Sequence, residues 1–129
     1  MWAISAGERF EVEFIHSLNL SPVIDVFQWT GNELLLVESK FHTFGAGIPG
    51  TADYPGSELL HEGDHFRLIG IDIEMDRLPI LTQEISNHRV SFGQREAFLV
   101  ELVGSGQSVT IEVRRMSLAT RTIAILRGD

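Results

Sequence analysis

Apolar and polar residues alternate with a period of two along most of this chain. Phe10, Val12 and Phe14 are separated by Glu11 and Glu13, and Ile69, Ile71, Ile73 and Met75 by Gly70, Asp72 and Glu74. Successive side chains of a strand point to opposite faces, so this alternation predicts strands with one buried and one wet face. Val23 to Trp29, Leu34 to Phe41, Ala97 to Val103, Val109 to Val113 and Thr122 to Leu126 read as further strands. Turn signals at Gly31-Asn32, Gly63-Asp64 and Gly104-Ser105-Gly106 separate them. No segment sustains a helical period long enough to make a helix. The expectation is one all-β domain over residues 1–129, an antiparallel β-sandwich or partly closed barrel of about seven to nine strands. Two stretches depart from the rhythm. Thr43 to Ser57 holds four glycines and two prolines and reads as a long loop. His88 to Gln94 is ambiguous between strand and edge crossing.

Register arithmetic extends the pattern to specific pairs. A two-residue hairpin turn at Gly31-Asn32 sets Trp29 opposite Leu34, Phe27 opposite Leu36 and Asp25 opposite Glu38. A four-residue connection over Asn19 to Pro22 sets Leu18 opposite Val23, Phe14 opposite Phe27, Val12 opposite Trp29 and His16 opposite Asp25. His16, Asp25 and Glu38 are then expected side by side across three strands, on an otherwise apolar face. Directly opposed side chains are close enough to interact. Unpaired burial of such groups costs several kcal/mol each, so they must neutralise one another, reach water or hold a ligand. The plainer account is a polar rim where the core ends. The chemical alternatives are a zinc, manganese or iron site, or a seat for a small-molecule amine or a partner's lysine. Lys40, two residues beyond Glu38, is on the same expected face. Ser17 is expected on the opposite face from His16, which argues against a Ser–His pair.

Composition narrows the classes. The net charge is −8 and Lys40 is the only lysine; so acidic a surface repels phosphate, and nucleic acid and anionic membrane are poor candidate partners. With no cysteine, disulfides, thiolate catalysis and Cys-type zinc sites are excluded. No apolar run is long enough for a membrane span, and Met1 to Ser5 is too short to be a signal peptide.

Arg9 to Pro49 resembles a known family. The residues that carry the likeness are Phe14-Ile15-His16-Ser17, then Ser21-Pro22-Val23 followed by the acidic Asp25. Leu34-Leu35-Leu36-Val37-Glu38 comes next, then Phe41-His42-Thr43-Phe44-Gly45-Ala46-Gly47-Ile48-Pro49. The family comprises short bacterial proteins of unknown function that accompany, or are fused to, tripartite (TRAP) transporters of the TAXI type. The resemblance implies a non-enzymatic, periplasmic or otherwise extracytoplasmic domain that contacts the transporter's membrane subunits or its solute-binding protein. Asp25 stands where the family pattern leads one to expect the longer glutamate. The glycines of the Gly45–Gly47 loop permit positive φ, so its N–H groups could face an anion, or the loop could simply turn a corner between sheets. Candidate ligand- or partner-binding residues are therefore His16, Asp25, Glu38, Lys40, His42, Phe44, Gly45 and Gly47. No catalytic residue and no cofactor is expected; a hydrolase using the same cluster is the weakest alternative, because no nucleophile or oxyanion donor can be named.

Other motifs carry less. His61-Glu62-Gly63-Asp64-His65 formally matches a zinc-protease pattern, but that chemistry needs a helix, and Gly63-Asp64 is a turn signal. Asp72, Glu74 and Asp76 read as one solvated strand face. Arg114, Arg115, Arg121 and Arg127 give the C-terminal third a basic tint; they could dock on an acidic partner, though pairing with local carboxylates is the plainer account.

Overall fold

The computed structural model describes residues 2–17, 20–42, 51 and 53–128. It is a two-sheet antiparallel sandwich, not a closed barrel. The strands are β1 (Trp2–Ile4), β2 (Arg9–Ile15), β3 (Pro22–Trp29), β4 (Leu34–Phe41), β5 (Glu58–Glu62), β6 (His65–Glu74), β7 (Leu78–Leu81), β8 (Arg89–Phe92), β9 (Arg95–Phe98), β10 (Ser108–Arg115) and β11 (Arg121–Arg127). One helical turn, α1 (Leu99–Val103), lies between β9 and β10. The larger sheet runs β5-β6-β4-β3-β2-β8-β9 and the smaller β1-β11-β10-β7. Eleven strands among the described residues exceed the seven to nine expected, because short edge pieces such as β1, β5 and β7 show too few alternations to stand out.

The inner faces meet in one core. Phe10, Phe27, Trp29, Leu34, Leu36, Phe41, Leu68 and Val90 from the larger sheet pack with Ile4, Leu78, Val109, Ile111 and Ile123 from the smaller. Phe10 and Phe27, opposed on β2 and β3, stack with ring centroids 5.4 Å apart. Pro79 sits in β7, an edge strand, where its missing N–H removes no central ladder bond.

Three expectations need correction. The segment Ala97 to Val103 is not all strand: β9 ends at Phe98, and Leu99 and Val103, four apart on one helical face, both pack on the core. A short apolar run does not distinguish strand from helix by period. The β2–β3 register is displaced by four residues, with Phe10 opposite Phe27, Val12 opposite Asp25 and Phe14 opposite Val23. Pro22 opens β3 opposite Ile15, and the His16 N–H donates to the Ser21 carbonyl at 2.9 Å. An even displacement keeps every side chain on its face, so apolar matching could not expose it. Third, β3 and β4 follow the expected register only from Trp29–Leu34 to Phe27–Leu36. A bulge then sets Val26 opposite Glu38, and Asp25 opposite Ser39.

Candidate functional site

The bulge at Val37 divides the expected cluster. Leu34 and Leu36 face the core before it; Ser39 and Phe41 face the core after it, which turns Glu38 and Lys40 outward. Asp25 stays on the inner face, in phase with buried Val23 and Phe27. His16 lies beyond the end of β2, opposite Ser21 rather than Asp25. Four residues of strand separate Ser21 from Asp25, about 13 Å at strand rise. His16, Asp25 and Glu38 therefore occupy three different environments.

On the outer face Glu38 is a structural anchor. It accepts from Arg9 and Arg67, each at 3.3 Å, while Arg67 also reaches Glu62 at 3.1 Å. Lys40 pairs with Glu11 at 3.2 Å. The bond that Arg67 donates to Glu62, with the charge of Glu38, pushes the pKa of the Arg67 guanidinium further up. These charges line an open groove over β2, β3, β4 and β6, and opposite signs compensate within it.

Between the sheets is a smaller, mostly apolar pocket of about 180 Å³. Val12, Phe14, Phe27 and Leu36 line it from the larger sheet, with Met75 just beyond β6, and Leu78, Pro79 and Ile80 line it from the smaller. Among the described residues, Asp25 and His88 are its only ionisable lining residues. Asp25 is half-buried, and its Oδ1 accepts a 2.8 Å hydrogen bond from the Ser39 hydroxyl. Burial pushes the Asp25 carboxyl above its usual range, and the Ser39 bond partly offsets this. No cation among the described residues pairs with it. His88 stacks on Phe14 at 5.2 Å, and burial lowers its pKa, so the ring is neutral at physiological pH. Its Nδ1 is buried without a hydrogen-bond partner. In its Nε2–H tautomer the neutral imidazole makes Nδ1 an unmet acceptor, and an Asp25 carboxylate in the same pocket can only accept.

A second hollow opens at the end of the sandwich, lined by His16, Ser17, Leu81, Gln83, Ser86 and His88 among others. Both His16 and Ser17 reach it, contrary to the expected opposite faces, because β2 ends at Ile15 and alternation stops there. Among its lining residues Leu81 is more than half exposed, as are Leu20, whose N–H donates to the His16 carbonyl at 2.8 Å, and Ile85, next in sequence to Ser86. The remaining candidates divide. His42 is exposed, its ring 6.1 Å from that of His65. Phe44, Gly45 and Gly47 lie outside the described residues, as does Leu18.

His61 to His65 form a tight β5–β6 hairpin with Glu62 opposite His65, so the zinc-protease pattern has no helix. Among the described residues no group of three or more His, Asp or Glu side chains is arranged to hold a metal. No helix among them is long and apolar enough to cross a membrane.

Sequence reasoning missed His88 because its segment was ambiguous. The available signal was parity: His88 is two residues before Val90, which is fully buried, so the two share a face.

A two-sheet sandwich with a small acceptor-lined pocket is the class these observations define. The model of a family described as a domain of unknown function (DUF1850) matches residues 10–99, and the chain belongs to that family. The matched span contains the larger sheet except Arg9, the first residue of β2, and the ten described residues that line the inter-sheet pocket. No curated protein and no solved structure matches the chain.

Proposed function

We propose that this chain is a non-enzymatic binding domain whose inter-sheet pocket holds a small apolar molecule bearing a cationic N–H donor. The observation that carries this reading is Asp25, a carboxyl on the core face with no cationic partner among the described residues. An ammonium group would give it a counter-charge, and a further N–H could satisfy His88 Nδ1 in its Nε2–H tautomer. The volume equals that of about six waters, which limits the ligand to a small ring or branched chain. Thermal melting with cyclohexylamine and, in parallel, neutral cyclohexanol tests this reading. The amine should raise the melting temperature of the native chain and leave that of Asp25→Asn unmoved. Equal shifts from amine and alcohol would count against it.

The resemblance over Arg9 to Pro49 supports a setting for this binding: outside the cytoplasm, beside a TAXI-type TRAP transporter. The hollow at the sandwich end favours contact there with a transporter subunit or the solute-binding protein, since exposed Leu81 lines it with His16 and Ser17, and exposed Leu20 is bonded to the His16 carbonyl. Co-purification from the native host, with Leu81→Asp as the control, tests it. Loss of transporter components with that folded variant is the expected result; a native bait that recovers none removes this setting.

A further inference from the structure

The hairpin joining β10 and β11 displays charge and apolar surface in an order the sandwich does not require. Arg115 and Arg121 are directly opposed across it, and Arg114 precedes them. Directly opposed like charges are destabilising in a sheet. Arg114 reaches Glu112 at 3.5 Å, but neither Arg115 nor Arg121 has an acidic partner among the described residues. The chain carries a net charge of −8, yet no Asp or Glu occurs between Glu112 and Asp129.

Beyond these arginines, at the tip, Met116 and Leu118 are 66% and 89% exposed. The tip is a closed turn. The Met116 N–H donates to the Thr120 carbonyl at 3.0 Å, and the Thr120 N–H to the Ser117 hydroxyl at 3.2 Å. Two apolar side chains are thus held outermost, with the arginines immediately behind. A lipid leaflet has the matching order, acyl chains beneath a layer of phosphates.

We propose that this hairpin docks on an anionic membrane surface, Met116 and Leu118 entering the acyl boundary while Arg114, Arg115 and Arg121 meet lipid phosphates. A phosphate between Arg115 and Arg121 removes their mutual repulsion. An acidic protein would satisfy the arginines but has no matching demand for an apolar tip. The local basic patch therefore reverses, at one end of the molecule, what net charge implies for the whole. These residues lie outside the family match at 10–99, so the device is independent of the pocket.

Co-sedimentation with vesicles of phosphatidylcholine, with and without phosphatidylglycerol, tests it. The native chain should pellet with the anionic vesicles only, and less so as salt is raised. Arg115→Gln with Arg121→Gln should weaken attachment by about 25-fold, roughly fivefold per arginine. Leu118→Asp should abolish attachment without lowering the melting temperature, since the side chain is exposed. Failure to pellet with either vesicle overturns the proposal. So does pelleting that these variants leave unchanged. Binding to soluble polyglutamate as tight as to vesicles, and indifferent to Leu118→Asp, overturns it in favour of an acidic protein.

Discussion

Ser39 and Asp25 face each other across β4 and β3, and the Ser39 hydroxyl donates a 2.8 Å hydrogen bond to the Asp25 carboxyl. This pairing exists because the bulge at Val37 brings Ser39, rather than Glu38, to the inner face. Without the bulge two acids would have shared that face. With it, one acid remains, served by a neutral donor and lacking a cation among the described residues.

That arrangement makes Asp25 a destabilising acid at neutral pH. Its carboxyl binds a proton more tightly in the folded chain than in the unfolded one, whose value is near 3.8. Through that window the folded state holds more protons, so stability falls as pH rises. Asp25→Asn should therefore be more stable than the native chain at pH 7, with the gap closing below about pH 4. Urea unfolding across pH measures it; an Asn variant less stable at neutral pH would mean that the carboxylate is itself a needed structural partner.

His88 has the opposite sign. Burial holds its imidazole below the ordinary 6.5, so the unfolded chain binds the proton more readily. Its contribution is complete above that value and is lost as pH falls toward the lowered folded value. His88→Phe, which keeps a ring against Phe14, should flatten the acid-side slope of stability just below pH 6.5. A slope that persists in this variant assigns it to another histidine.

Thr82 is fully buried and ties two turns together. Its hydroxyl donates to the Gly104 carbonyl at 2.7 Å and accepts from the Gln107 N–H at 2.9 Å. Thr82→Val keeps the shape and leaves both backbone groups short of a partner, a loss of about 1–3 kcal/mol in equilibrium unfolding. An unchanged stability would mean the turns relax to pair elsewhere.

Gly70 stands in the irregular stretch of β6 at φ +71°, with the Gly56 carbonyl 3.5 Å from where a Cβ would lie. Gly70→Ala should cost about 1–2 kcal/mol from the left-handed backbone alone. Denaturant titration checks this, and a neutral effect would show that β6 shifts its bulge.

The sequence made most of the sandwich legible and little of the site. Alternation found β2, β3, β4, β6, β10 and β11, and Gly31-Asn32 fixed Trp29 opposite Leu34 because two-residue hairpins impose their own register. The bulge stayed hidden because Leu34-Leu35-Leu36-Val37 is uniformly apolar, so the change of phase leaves no mark in hydropathy. The β2–β3 displacement stayed hidden because both registers bring Phe14 against an apolar partner, Phe27 in one and Val23 in the other. Asp25 was legible as an inward acid from parity with Val23 and Phe27. Its pocket was not, since Leu78, Pro79 and Ile80 arrive from the other sheet, and that juxtaposition is tertiary.

The most direct test of the binding account is an NMR titration of the native chain with cyclohexylamine, following the Asp25 carboxyl carbon and the His88 ring nitrogens. The account predicts saturable shifts at both residues, absent with cyclohexanol and strengthening as pH rises through the Asp25 titration. Shifts that bypass Asp25 and His88, or that the neutral alcohol reproduces, would contradict it.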